Sequence, residues 1–436
     1  MTKDSSLDRY SRPPTVDAVG WLTFYLILLL FVPSRLIFGP LGSVGAPSIL
    51  LGLDSLLVWC LLRIGAARST LSGLQPIRIA LLILLLSVGI SYVLAMSHPI
   101  SSDEISPADV ALLALASWSG TLLLTHDYIH DRKRLDTLIW RLCVCGGLIA
   151  LLGIIQFITR TIWVDQISIP GLIGSPGYAL GSRGGFPRPA GFATHPIEYG
   201  TLVTMILPLS LHVGFNHTER SFFVRWLPTG ALAMLIPLTS SRSAYLGAII
   251  GVLICMVGWT KARRLTVLGL IGAGLLAMSV VTPNLLDSII GLFSGVADDP
   301  SVASRTDSYA LGAQFIAQHP WFGRGLGTFL PKYIIFDNQY LLLLVTVGIA
   351  GTVAFIALGL TAIASLIQLR ARVLGESTRE LTVALAAAVA SGFACLFMFD
   401  AFAFPMTMGL LFLILGMGGA LRRIEYAGSP DLPLKV

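Results

Sequence analysis

Charge is scarce in this sequence. Only 12% of its 436 residues are Asp, Glu, Lys or Arg, about half of the roughly 25% usual for a globular domain. No segment between its apolar runs is long enough to bury a core of its own, which excludes a separate soluble domain. Cysteine is sparse too. Cys60, Cys143, Cys145, Cys255 and Cys395 all fall inside apolar runs. No CxxC and no Cys/His spacing of metal-ligand type exists, so inert buried thiols are expected and no metal site. No solenoid-type repeat is found either.

What the chain has instead is apolar length. Of its residues, 55% are hydrophobic, and the apolar runs are long enough to cross roughly 30 Å of hydrocarbon as helices. The expected fold is all-α: a polytopic membrane protein of about 12 transmembrane helices, with residues 1–436 forming a single integral membrane domain. The spans are placed near 16–38, 46–64, 77–96, 107–126, 138–159, 196–214, 226–239, 243–259, 265–283, 349–369, 381–399 and 404–421. The first run follows a polar start and has no small-residue cleavage site after it, so it is read as a retained span and not a signal peptide.

The net charge of +6 invites a nucleic-acid reading, but the placement of the basic residues argues against it. With both termini cytoplasmic, 21 of the 29 basic residues fall in inner segments, among them Arg132, Lys133 and Arg134. The excess follows the positive-inside rule. The charge is a topology signal, and no nucleic acid is expected as a partner. On the outer side two segments are long, 160–195 and 284–348. The second contains "LLDSIIGLF" and "YLLLLVTV", which read as short interfacial helices. Long loops on a rigid scaffold more often carry function than merely connect.

Three arginines mark that outer side. Arg242 lies in "IPLTSSRSAYLG", the hairpin after span seven. Sixteen steps separate it from Trp226, roughly 24 Å of helix, so its guanidinium sits at or just below the outer interface. It is either a snorkelling interfacial arginine or an anion site with Ser240, Ser241 and Ser243 as further donors. The depth suits a lipid-linked phosphate, which guanidinium matches with forked hydrogen bonds. Arg188 opens "RPAGFATHPIEYG", just outside span six, and Arg305 stands two residues before Asp307. The "GRGLGTF" stretch holding Arg324 follows no strand, so it reads as a tight turn and not as a dinucleotide fingerprint. His195 and Glu198 are one helical turn apart at the start of span six: either a cap and interface anchor, or an acid/base pair. Asp337 either caps the helix beginning at Asn338 or Gln339 or serves chemistry. Asp54, inside span two, is expected to pair with a site arginine or to hydrogen-bond to a neighbouring helix. His319 reads as structural, and Asp400 as interfacial.

Four stretches together resemble the O-antigen ligase and polysaccharide polymerase family of bacterial membrane proteins: "RPAGFATHPIEYGTLVTMILPL", "TSSRSAYLG", "SRTDSYALGAQFIAQHPWFGRGLGTF" and "DNQYLLLLVTVGIAG". They cover about residues 188 to 351 in the family's order. The resemblance implies transfer of a saccharide from a polyprenyl (typically undecaprenyl) diphosphate carrier to an acceptor hydroxyl, outside the bacterial cytoplasmic membrane. The partners implied are that donor, a glycan, lipid or cell-wall acceptor, and membrane lipids. No cofactor and no metal is implied, in keeping with the lack of an Asp-x-Asp pair in the outer loops. By resemblance, catalysis is expected of Asp337, Arg242 and Arg188, and substrate binding of Arg305, His195, Glu198, Ser241, Asn338 and Arg324. The sequence departs from the pattern at Asp337, where many ligases have histidine. The rival reading is a transporter or flippase of lipid-linked oligosaccharide. Such proteins keep polar groups near the bilayer midplane, whereas here the ionisable groups gather at the outer edge.

Overall fold

The computed structural model describes residues 17–65, 75–174, 181–183, 185–294 and 300–427, with the side chains of 65, 183, 292–294 and 300–308 outside that description. The chain is an all-α polytopic membrane protein. In chain order its helices are α1 (Ala18–Phe31), α2 (Pro47–Gly65), α3 (Pro76–Met96), α4 (Ser102–Tyr128), α5 (Arg132–Thr159), α6 (Pro196–Asn216), α7 (Phe222–Leu238), α8 (Arg242–Gly258), α9 (Lys261–Val281), α10 (Pro283–Ser294), α11 (Pro300–Gln318), α12 (Gln339–Thr346), α13 (Gly348–Arg372), α14 (Glu376–Cys395) and α15 (Pro405–Ala427). Among the described residues nine helices are long and apolar enough to cross a membrane, and α1, α7 and α8 are shorter apolar helices. These twelve are the segments expected from hydropathy.

The core is set by α6, α14 and α15. In α6, 94% of the apolar window is buried, against 6% in α9, which makes α9 the outlying helix. Small residues let the central helices approach closely, the usual device where lipid supplies no hydrophobic drive between helices. A Cβ on Gly247 would meet Cys395 Sγ at 2.7 Å and one on Gly251 would meet Ser391 Oγ at 2.6 Å. The Ser391 hydroxyl also donates to the Gly247 carbonyl (2.8 Å), joining α14 to α8.

Several expectations are corrected. Span one ends at Phe31, not residue 38, because Val32 is extended and Pro33 follows. The freed segment Leu36–Ile37 (β1) pairs antiparallel with Ile173–Gly174 (β2). Arg35 clamps the same loop through the carbonyls of Asp165 (2.8 Å) and Ile167 (3.1 Å). The second long loop holds three helices, not two. "LLDSIIGLF" and "YLLLLVTV" became α10 and α12, but α11 carries no strong apolar stripe and was not foreseen. Asp337 is not the cap of α12. Asn338 is, its side-chain oxygen accepting from the backbone N–H of Tyr340 (3.0 Å) and Leu341 (3.3 Å). Asp54 stands exposed on the outward face of α2. It makes neither an ion pair nor a hydrogen bond among the described residues, so both partners expected for it are missing.

The "GRGLGTF" stretch is the tight turn its glycines promised, and it is wedged among three helices. Gly323, Gly325 and Gly327 all have positive φ (66°, 109° and 80°), a region costly for any residue with a Cβ. A Cβ on Gly323 would strike the carbonyl of Thr346 in α12; on Gly325, Ala95 in α3; on Gly327, the Pro107 carbonyl in α4. The backbone N–H groups of Arg324 and Gly325 donate to Val345 (3.1 Å) and Thr346 (2.7 Å). Gly323→Ala is expected to cost at least about 1–3 kcal/mol of local strain. A lowered apparent unfolding temperature of the detergent-solubilised protein checks this; an unchanged one shows that the turn is not strained.

Candidate active site

The stretch from Arg188 to Gly200 is held by α5. The buried Gln156 side chain accepts from the Gly191 N–H (2.9 Å) and donates to its carbonyl (3.3 Å). His195 is the N-cap of α6, its Nδ1 accepting from the Ile197 N–H (3.1 Å), and Pro196 fills the first helical position. With Nδ1 an acceptor, the neutral ring carries its proton on Nε2. Burial and the nearby Arg188 charge push the His195 pKa down to about 4, so the ring is neutral at pH 7.

Glu198, in the first turn of α6, is fully buried. It accepts from the Thr194 N–H and hydroxyl (both 3.2 Å) and, through its other oxygen, from the Met406 N–H at the start of α15 (3.0 Å). One carboxylate thus joins two helix N-termini, whose dipoles favour it. No bond links it to His195 among the described residues.

Arg188 reaches the next element. Its Nε donates to the Thr239 carbonyl (3.3 Å), at the C-terminal end of α7. That carbonyl belongs to the hairpin that carries Arg242. In the hairpin Ser240 has φ +46°, an uncommon conformation for a non-glycine residue. Its Oγ is buried and has no hydrogen-bond partner among the described residues. Ser241 is the N-cap position of α8, and its Oγ lies 2.8 Å from that of Ser243. Arg242 takes the first position of α8, and Tyr245 pins the turn by donating to the Pro237 carbonyl (3.0 Å). Gly200 allows the contact between the two helix starts: a Cβ there would sit 2.8 Å from that of Ala244. A buried hydroxyl without a hydrogen-bond partner among the described residues, beside a helix N-terminus that Arg242 opens and that Arg188 approaches, is a setting that can receive an anion.

The acidic side comes from the other end of the chain. The turn between α14 and α15 carries Asp400, whose pKa is raised to about 6, first by burial and then by the neighbouring Asp337 charge. Gln339, the first residue of α12, accepts from the Phe402 N–H in that turn (2.8 Å). Two residues on, the Phe404 ring lies 6.2 Å from His195. A line of contacts therefore runs from Asp337 and Asn338 through Gln339, Phe402 and Phe404 to His195, and on through Arg188 to the Arg242 hairpin.

The structure brings Arg188 to the hairpin that carries Ser241 and Arg242, and joins Asp337 and Asn338 to the His195 end of α6 through Gln339 and the turn holding Phe402 and Phe404. Arg324 lies elsewhere: it pairs with Glu104 (3.3 Å) and packs over Phe315 and Tyr333. The Arg305 side chain lies outside the described residues. Asp400 was read from the sequence as merely interfacial. The signal was present, since it is the only charged residue between positions 381 and 421.

Residues 227–356 match the family model described as O-antigen ligase. No curated protein matches the chain. The matched stretch includes the hairpin with Arg242 and the α12 entrance with Asp337, while Arg188, His195 and Asp400 lie outside it. Over the segment that carries these two residues the chain is O-antigen ligase-like, a match that implies glycan transfer of the ligase or polymerase type.

Proposed function

We propose that the chain transfers a glycan from a polyprenyl diphosphate carrier to an acceptor hydroxyl, on the outer side of a bacterial cytoplasmic membrane, with loops 160–195 and 284–348 framing the site. The observation that supports this most is the bond from Arg188 to the Thr239 carbonyl, which sets a second guanidinium at the Arg242 hairpin. The acceptor oxygen attacks the anomeric carbon and forms the new glycosidic bond. The bond from that carbon to the diphosphate oxygen breaks, and the electron pair leaves with the lipid diphosphate. The acceptor proton passes to the Asp337 carboxylate. Charge grows on the departing diphosphate as the bond lengthens, so cations already fixed there favour the transition state over the ground state. The neutral His195 ring offers a hydrogen bond to a sugar hydroxyl, Asn338 and Ser241 lie beside the path, and Glu198 positions the helix ends.

The test supplies purified protein with a polyprenyl-diphosphate oligosaccharide, with and without an acceptor. Laddered products identify a polymerase, and a single new conjugate a ligase. Movement of intact donor across the membrane without bond cleavage, or no reaction at all, defeats the proposal. Because the arginines supply the positive charge, saturating EDTA is expected to leave turnover unchanged in the same assay; a strict requirement for added divalent metal contradicts this mechanism.

A further inference from the structure

Beyond the arginine hairpin, a cavity of about 560 Å³ opens beside the C-terminal end of α12. Its walls include His98, Glu104, His319, Trp321, Arg324 and Tyr333, drawn from the α3–α4 connection and the segment after α11. The volume lies within the range of small-molecule sites, about 300–1,000 Å³. The eight residues of α12 separate it from Asp337, roughly 12 Å at 1.5 Å per residue.

Its chemistry is selective. Trp321 is 66% exposed, a large ring on the cavity wall, whereas Tyr333 is 39% exposed and packs against Phe329, Arg324 and Lys332. On the same wall lies a buried carboxylate: Glu104 is 3% exposed. It accepts from Arg324 Nη2 and from the Tyr333 hydroxyl, and both bonds fall on Oε1. Among the described residues no donor is bonded to Oε2. An anion would meet this carboxylate, and the Arg324 charge is already answered by Glu104, so phosphate is a poor occupant. A purely apolar chain would set nothing polar against the Glu104 carboxylate. A ring that is apolar on its faces and rich in hydroxyls at its edge satisfies both kinds of wall.

We propose that this cavity is a saccharide subsite, holding sugar residues of the glycan at a distance from the bond being made, with Trp321 as the stacking face and Glu104 as the hydroxyl acceptor. This rests on the glycan-transfer reading. With the reacting end at Asp337, α12 serves as the spacer between chemistry and recognition, so the cavity distinguishes long glycans from short ones.

The experiment uses full-length protein in lipid nanodiscs. The probes are the oligosaccharide released by mild acid from the producing cells' own lipid-linked pool and, separately, the delipidated acceptor glycan. Saturation-transfer NMR is expected to show contact from sugars remote from the reducing end, lost in Trp321→Ala and restored in Trp321→Phe. In steady state, Trp321→Ala is expected to raise KM for a full-length glycan about tenfold, with kcat unchanged and a single-sugar donor unaffected. A rise in donor KM assigns the cavity to the donor glycan; a rise in acceptor KM assigns it to the acceptor. Unchanged NMR contacts together with an unchanged ratio of long to short KM overturn the proposal. If the wild-type protein transfers nothing, the glycan-transfer reading fails by itself, while the NMR arm still reports whether the cavity binds saccharide.

Discussion

Arg242→Ala is expected to lower glycan transfer by about 10²–10³-fold, the usual loss when one fixed donor to developing negative charge is removed. The expectation rests on placement. Arg242 opens α8, so its guanidinium acts together with the positive end of a helix. Arg188, bonded to the carbonyl of Thr239, approaches the same hairpin from the loop before α6. If both cations meet one diphosphate, the two alanine variants should not add: the double variant should be little worse than either single one. Arg242→Lys keeps the charge but loses the planar fork, and is expected to recover only part of the rate. The assay is initial-rate transfer, read beside the elution profile of the solubilised protein to confirm folding. Full activity in Arg242→Ala, with folding intact, removes this arginine from the mechanism.

Asp337→Asn carries the second large effect, about 10²–10⁴-fold in kcat if the carboxylate takes the acceptor proton. Donor binding should be nearly untouched, because the amide keeps the shape and loses only the base. The structure sharpens this test, since Asn338 and not Asp337 caps α12. Asp337→Asn therefore leaves the α12 cap in place, and the Asn variant should insert and melt normally. The neighbouring Asp400 supplies the pH signature. Its pKa is raised to about 6, so it binds a proton as pH falls through that value. Below it the acidic pair carries one charge fewer than above it. Transfer is expected to decline from pH 7 toward pH 5, and Asp400→Asn, uncharged at every pH, to remove that limb by holding activity at pH 7 near its low-pH level. An identical pH–rate profile in Asp400→Asn shows that the pair does not act together.

The helices were legible because most apolar runs match the thickness of a bilayer, with α1, α7 and α8 shorter, and basic residues punctuate the intervals. Where the sequence misled, a local rule lost to a longer-range contact. The first span stops at Phe31 because Pro33 ends it and Leu36–Ile37 finds a strand partner 137 residues further on. α11 escaped notice because nothing in "PSVASRTDSYALGAQFIAQ" repeats with an apolar period. Asp337 and Asn338 are both good caps by type, and only backbone geometry chose between them. Arg188 and Arg242 are far apart in the sequence, and the approach of Arg188 to the Arg242 hairpin at Thr239 depends on tertiary packing. Asp400 was undervalued because its partner, Asp337, is 63 positions away.

The carboxylate shared between α6 and α15 has a bearing on how the protein is made. Glu198 and Met406 are 208 residues apart, and at roughly 5–20 residues per second a ribosome takes about ten to forty seconds to cover that interval. During that time α6 is in place with one of its Glu198 oxygens still waiting for the backbone amide that will engage it. The Phe404 ring that lies against His195 and the turn that receives Gln339 arrive with the same late segment. Biogenesis therefore completes the candidate site only when α15 arrives, and a nascent chain halted after α14 would possess the arginine hairpin without these late contacts.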